Sequence, residues 1–434
     1  MASTDLIDEL TWRGLKHQAT DEDGLRAHLA AGTRLIYAGF DPTADSLTVG
    51  NLVPIMMLRH VQRAGHRPVV LMGGGTGLIG DPSGKSAERD LQSPERVEAN
   101  ILGQRRIFER LLDCSGPLGA PIVNNADWLG RLGYIEVLRD VGKHFSVNQM
   151  VQRDSVRTRL EGREQGISYT EFSYMILQAY DFLHLFRSMG VTVQFGGSDQ
   201  YGNILSGCDL IRRAVFRTGE ADAGPQAYGL TAPLVTRADG GKFGKTERGA
   251  VWLTADRTSP YAYYQFWLNA ADADAGRFLR IYTLCTREQI EAAEAEQARD
   301  PGARPAQRLL AREATALLHG RDEMLRAEAA AGALFKGDLA SLDRATLDEA
   351  LGAAPTSDHA RPLLAGDGVP LAEVLATTLC RSKSEARQAL TEGSVSVNGR
   401  KAAADARLTV ADLLHGEVIA LRRGKKHWHV TRWK

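Results

Sequence analysis

Residues 37–51 read YAGFDPTADSLTVGN. An apolar run ends at Phe40, Asp41-Pro42 turns the chain, and a patch of small polar residues leads to Asn51. There an apolar helix opens and continues through Met57 and Leu58. Pro54 falls in the first helical turn, where a missing N–H is tolerated. A strand delivered straight into a helix N-terminus is the repeating unit of a parallel sheet wrapped by helices, and the pattern recurs on both sides. RLIYAGF, PVVLMGG, PIVNN and VTVQFGG, all between Arg34 and about Val235, are strand-like and run into Gly, Asp or Asn. In open α/β sheets ligands bind at those carboxyl ends, so the polar residues just beyond each run are the candidate site. A phosphate at the Asn51 helix would meet backbone N–H groups and the positive end of the helix dipole, with the hydroxyls of Thr43 and Thr48 alongside.

Further out, the 434 residues exceed one ordinary core and predict several domains. Residues 1–253 form the α/β part, with helical sequence at about 131–165 reading as an insertion between two halves of the sheet. Residues 254–351, rich in Ala, Glu, Arg and Leu, predict an all-helical domain. The stretch 352–369, GAAPTSDHARPLLAGDGV, is linker-like. Residues 370–434 close the chain with a helix, SKSEARQALTEG, and VSVNGRKA, where Asn398-Gly399 signals a hairpin. The fold class is therefore α/β: a Rossmann-like parallel-sheet domain with a helical insertion, an all-helical domain and a small α+β domain.

The 53 basic and 53 acidic residues cancel, which excludes a polycation overall, but the tail from Arg381 is basic. Cys114, Cys208, Cys285 and Cys380 form no CxxC pair, so neither a disulfide framework nor a thiolate metal site is indicated. With no cationic apolar leader and no apolar run of membrane-spanning length, the sequence predicts an untargeted cytoplasmic protein with no membrane contact.

Three further stretches carry chemistry. ADGGKFGKTERGAVWL, from Ala238, sets Lys242 and Lys245 around Phe-Gly after paired glycines, a mobile cationic loop suited to a transient anion. In YTEFSYMILQAYDFLH, from Tyr169, Phe172, Ile176, Ala179 and Leu183 make a core stripe, while Tyr174, Gln178 and Asp181 recur at i, i+4 and i+7 on another face. A phenol, an amide and one carboxylate line a pocket rather than a solvated surface. QFGGSDQYGN, from Gln194, is a strand, paired glycines, then Asp199 and Gln200 at a helix start. Two look-alikes fail. GTGLIG (75–80) has the dinucleotide-loop spacing, but Asp81 follows at once, where a pyrophosphate would sit. SGKS (83–86) lacks the first glycine of a phosphate loop.

YxGFDPT, GDPSG, YxxxQAYD, GGSDQxGN and KFGKT, in this order and at these separations, resemble a bacterial tyrosyl-tRNA synthetase, a class I aminoacyl-tRNA synthetase. The resemblance spans essentially the whole chain. It implies attack of the tyrosine carboxylate on the α-phosphate of ATP, supplied with Mg2+, with Lys242 and Lys245 closing over the departing pyrophosphate. Lys85 and Arg89 are the further cations it suggests. Thr48 and Asn51 stand where the family usually has two histidines. An Asn amide supplies a comparable donor, whereas the shorter, never cationic hydroxyl of Thr48 predicts a weaker phosphate contact or one shifted to Thr43.

The resemblance also assigns Tyr37 and Asp181 to the phenolic hydroxyl of the substrate, Asp81, Tyr174 and Gln178 to its ammonium, and Gln200 to its carboxylate. It assigns Asp199 to the ATP ribose, and Gly39 and Asp41 to the nucleotide side. The helical region is similar to an anticodon-binding domain and the tail to an αL-type RNA-binding domain, which implies a tRNA partner. Arg381, Lys383, Arg387 and Lys401 are the candidate phosphate contacts, with Trp428 and Trp433 among them. The family implies a homodimer formed through the insertion. A non-aminoacylating RNA-binding paralogue and a tryptophan-specific relative are the rival readings; Tyr37 with Asp181 suits a phenol better than an indole.

Overall fold

The computed structural model describes residues 5–81, 92–153, 156–157, 160, 167–215, 227–241, 243–246, 249–352, 354–424 and 427–434. Lys85, Arg89 and Lys242 lie outside the described residues. The chain divides into two compact units, residues 1–257 with 270–310, and residues 258–269 with 311–434.

The first unit is built on six strands: β1 (Gln18–Ala19), β2 (Leu35–Phe40), β3 (Arg67–Met72), β4 (Ile122–Asn124), β5 (Val191–Gly197) and β6 (Tyr228–Ala232). Their order is β1-β6-β5-β2-β3-β4, and all neighbours are parallel except the short β1, which runs antiparallel to β6. The helices that bear on the site are α1 (Leu52–Arg63), α2 (Pro94–Leu111), α3 (Tyr169–Met189) and α4 (Tyr201–Val215). β2 and β3 are apolar runs covered on both faces, as a parallel sheet requires. Gly39 is the exposed exception, opening the carboxyl end of the central strand. Val69, Leu71, Ala179, Phe182 and Leu210 pack together under Tyr37, so the core directly supports the strand ends. The four strands expected from the sequence are present. β6 and β1 were not individually expected; they extend the sheet on the β5 side.

The second unit holds a five-stranded sheet of β7 (Thr356–His359), β8 (Val395–Val397), β9 (Arg400–Lys401), β10 (Val418–Arg423) and β11 (His427–Trp433), in the order β9-β8-β10-β11-β7. β8 and β9 form the expected hairpin, turning through left-handed Asn398 (φ 50°) and Gly399 (φ 87°). Two expectations are corrected. The linker-like stretch 352–369 contributes β7, paired parallel to β11, and buries Leu364 in the core, so its Pro and Gly residues punctuate structure instead of a free tether. Trp433 is core, 2% exposed, with its indole N–H donated to Thr431 Oγ1. It faces away from solvent because the alternation along β11 turns it inward, between basic neighbours that point out.

Candidate active site

At the carboxyl ends of β2, β3 and β4 the structure assembles one continuous chain of hydrogen-bonded side chains. Tyr37, on β2, is 1% exposed and packs tilted against Phe182 at 5.3 Å. Its hydroxyl is buried with no hydrogen-bond partner among the described residues. Burial, then the negative charge of Asp181, pushes the phenol well above its ordinary pKa. Asp181, on α3, is 2% exposed. Its Oδ1 accepts from Trp128 Nε1 at 2.7 Å and its Oδ2 from Asn125 Nδ2 at 2.8 Å. Burial raises this carboxyl to about 7, against the two donors, which pull it down.

Asn125 also donates to Thr76 Oγ1 (3.0 Å), and Thr76 donates to Asp41 Oδ1 (2.9 Å). Tyr174 donates its hydroxyl to Asp41 Oδ2 (3.0 Å). Tyr174 is buried one helical stretch before Asp181 on α3, and burial and the Asp41 charge raise its phenol. Asp41, expected on the nucleotide side, thus gives both oxygens to the network that carries Tyr174. The approach is possible because residue 73 is glycine: a Cβ there would lie 2.2 Å from Asp41 Oδ1.

A second cluster gathers at the end of β5. Gln200 Nε2 donates to Asp81 Oδ2 (2.7 Å) and to Asp199 Oδ2 (3.3 Å). Asn203 Nδ2 donates to Gln178 Oε1 (3.0 Å) and Gln200 Oε1 (3.2 Å). Burial raises the Asp199 carboxyl. Asp81, Gln178, Asp199 and Gln200 therefore share one polar cluster, joined by Asn203.

The loop from β2 to α1 forms the third part. Asn51 occupies the position before α1, but its side chain does not cap the helix. Its Oδ1 instead accepts from the Thr48 backbone N (3.0 Å) and hydroxyl (2.9 Å), which leaves the amide N–H2 of Asn51 available as a donor. Thr43 is exposed. Backbone bonds from Val49 N to Val251 O (3.0 Å) and from Val251 N to Gly244 O (3.0 Å) tie the KFGKT segment to this loop. Phe243 stacks on Tyr282 and tilts against Phe278. Lys245 lies in a two-residue strand with Thr246, antiparallel to Gly249–Ala250.

In the second unit Arg381, Lys383, Arg387 and Lys401 are exposed. Lys383 is paired with Glu373 at 2.7 Å. Arg422 lies over the Trp428 ring at 5.0 Å. Thr76, Asn125, Trp128 and Asn203 escaped the sequence reading. Two gave a signal: the second Asn of the PIVNN strand end stands where ligands gather, and Asn203 closes the GGSDQxGN motif.

The parallel sheet with a polar carboxyl edge, the helix-opening loop and the tethered KFGKT segment lie within residues 32–336, which match the family of tRNA synthetases class I (W and Y), and this makes the chain a class I aminoacyl-tRNA synthetase. Residues 358–431 match a tyrosine–tRNA ligase SYY-like C-terminal domain. The chain is 48% identical over 432 residues to the tyrosine–tRNA ligase of Roseiflexus castenholzii, covering 99% of both. It is 51% identical over 427 residues to that of Streptomyces avermitilis, covering 98% of both. A C-terminally truncated mitochondrial tyrosyl-tRNA synthetase of Aspergillus nidulans superposes with a TM-score of 0.69 at 32% identity, over 76% of this chain and 94% of that one. The chain belongs to the tyrosine–tRNA ligase family.

Proposed function

We propose that this ligase selects tyrosine by its phenol, between the Tyr37 hydroxyl and the Asp181 carboxylate. The single observation that carries the reading is that pair: a buried hydroxyl without a partner among the described residues, beside a carboxylate held by two fixed donors. A substrate phenol donates to Asp181 and accepts from Tyr37. Phenylalanine does neither and leaves buried polar groups unmatched. Rejection of the analogue lacking the hydroxyl is behaviour already known for enzymes of this specificity. Asp81, Tyr174 and Gln178 hold the ammonium, and Gln200 lies towards the carboxylate. Asp199 takes the ribose, and Gly39 leaves room for the nucleotide.

In the first half-reaction a tyrosine carboxylate oxygen attacks the α-phosphorus of ATP, the bond to the β-phosphate bridging oxygen breaks, and pyrophosphate leaves with that electron pair. No side-chain nucleophile is required; positioning and charge stabilisation suffice. Lys242 and Lys245, with Lys85 and Arg89, meet the charge that builds on the leaving group, while Thr43, Thr48 and the Asn51 amide contact the phosphates. Mg2+ comes with ATP as part of the substrate. In the second half-reaction a hydroxyl of the terminal tRNA ribose attacks the tyrosyl carbonyl and AMP leaves. Residues 254–351 serve as the anticodon-binding domain and residues 370–434 as the RNA-binding domain, with Arg381, Lys383, Arg387 and Lys401 on phosphates.

Exposed Tyr134, Ile135, Leu138, Val147 and Val151 crowd the inserted segment and support a homodimer formed through it. No described helix is long and apolar enough to cross a membrane, and we place the enzyme in the cytoplasm. The test is discrimination: Asp181→Ala is expected to abolish the preference for tyrosine over phenylalanine in pyrophosphate exchange. A variant that keeps the wild-type preference would refute the assignment.

A further inference from the structure

The loop joining β2 to α1 makes no regular structure of its own, yet three consecutive backbone carbonyls of it are held by side-chain amides from one neighbouring segment. Asn100 Nδ2 donates to Pro42 O at 2.8 Å, Gln92 Nε2 to Thr43 O at 3.1 Å, and Gln104 Nε2 to Ala44 O at 2.8 Å. Asn100 and Gln104 lie one turn apart on α2, and Asn100 also donates to Gln92 Oε1 at 3.0 Å, which joins two of the three amides. Gly103, between them, sets the distance. A Cβ at that position would stand 2.1 Å from Asp45 O, so any other residue would push the loop off the helix.

The far side of the same loop is fixed by other means. Leu253 N donates to Leu47 O at 2.8 Å and Val49 N to Val251 O at 3.0 Å, Thr254 Oγ1 bonds Ser46 Oγ at 3.0 Å, and Arg257 pairs with Asp45 at 2.6 Å. Residues 42–49 are therefore gripped from both sides, and Thr43 and Thr48 are the groups the grip presents.

Two observations separate this arrangement from ordinary packing. Asn100 and Gln104 are both 0% exposed. Their acceptor oxygens, Asn100 Oδ1 and Gln104 Oε1, are buried without a partner among the described residues. A buried amide with half its hydrogen-bonding capacity unmet costs folding free energy, whereas Leu or Met of similar size would fill the same core sites without an unmet oxygen and would give up only the bonds to the loop carbonyls. The donor halves of these amides act on one target, the loop that faces ATP.

We infer that Gln92, Asn100 and Gln104 are positioning residues that preorganise the ATP-phosphate loop for the activation step. The inference rests on the proposed role of Thr43 and Thr48. Because the amides touch backbone and not substrate, their removal leaves tyrosine binding intact and loosens only the groups that meet the phosphates in the transition state.

The test uses the full-length protein with Asn100→Leu, Gln104→Met, the double variant and Gly103→Ala, and with exposed Leu102→Ala as a control on the same helix. Thermal unfolding of the Leu and Met variants is expected close to the wild-type temperature, because losing an unmatched amide oxygen offsets the cost of leaving the Pro42 and Ala44 carbonyls without their donors. Tyrosine affinity without ATP is expected to be unchanged. The kcat of tyrosine-dependent pyrophosphate exchange is expected to fall by about tenfold to a hundredfold, with KM for tyrosine unmoved. Gly103→Ala is expected to lower kcat in the same way and decides the matter if the polar-to-apolar variants fail to fold. A double variant, or Gly103→Ala, that keeps kcat would overturn the inference, as would a parallel loss of tyrosine affinity, which marks general loosening. A wild-type protein without exchange would refute the parent reading and this one with it, whereas an active wild type with indifferent variants would overturn this one alone.

Discussion

Trp128→Phe removes one hydrogen bond and keeps a ring. The indole donates to Asp181 Oδ1 at 2.7 Å, while its ring stacks on His184 at 4.3 Å and 14°, a contact that phenylalanine preserves. The Asp181 carboxyl titrates at about 7 because burial raises it against two donors. Removing one donor withdraws stabilisation from the ionised form alone. A hydrogen bond to a charged group is worth about 1.5–3 kcal/mol, and about 1.4 kcal/mol is one pH unit, so the carboxyl rises by about one to two units.

The sign follows from which form works. The substrate phenol needs an ionised acceptor, so kcat/KM for tyrosine falls as pH drops through the Asp181 value. The variant therefore loses activity at a higher pH than the wild type. With a shift to about 8.5, the ionised fraction at about pH 7.5 falls from about three-quarters to about a tenth. The assay is the pH profile of kcat/KM for tyrosine in pyrophosphate exchange, which reports ionisations of the free enzyme. Burial lowers His184 below its ordinary value, so its titration lies on the acid side of the limb in question. An acidic limb that stays within about 0.3 pH unit of the wild type would refute the reasoning.

Asn125→Ala, which removes the other donor to Asp181, is expected to move the same limb in the same direction, read from the same profile. Tyr37→Phe removes a buried hydroxyl without a partner, so thermal unfolding should hold or improve by about 1 kcal/mol, while kcat/KM for tyrosine drops about fivefold to tenfold. Lys383→Ala with Arg387→Ala should raise KM for tRNA and flatten its salt dependence without altering pyrophosphate exchange; an unchanged salt slope would remove both from the RNA contact. Trp433→Ala should destabilise the second unit by about 3–5 kcal/mol, visible by calorimetry, because it empties a core site.

The periodic parts of the site were legible. Tyr174, Gln178 and Asp181 share a helical face because their spacing follows the helix, and Tyr37 sits where an apolar strand reaches its polar end. Thr76, Asn125 and Trp128 were not, because each acquires meaning from a partner 49 to 56 residues away. A single threonine or tryptophan has no local pattern to announce such a bond. The bond that Asp41 accepts from Tyr174, 133 residues on, was hidden for the same reason, since it crosses space that Gly73 leaves open. Trp433 was not legible either: Trp428 and Val430 share the phase of Arg432, whereas Trp433 falls with His429 and Thr431, and the middle of β11 is buried on both faces. β7 was hidden by its polar sequence, TSDH, which forms a strand only because β11 offers an edge.

The central claim is that this chain activates tyrosine and that its lysine loop drives the step. Tyrosine-dependent exchange of labelled pyrophosphate into ATP, with phenylalanine and tryptophan as controls and Lys245→Ala alongside, tests it most directly. Exchange with tyrosine alone, lost in the variant, is the expected result and would show that Thr48 suffices in the loop before α1. No exchange with any amino acid, from folded protein that still binds tRNA, would contradict it and leave an RNA-binding paralogue in its place.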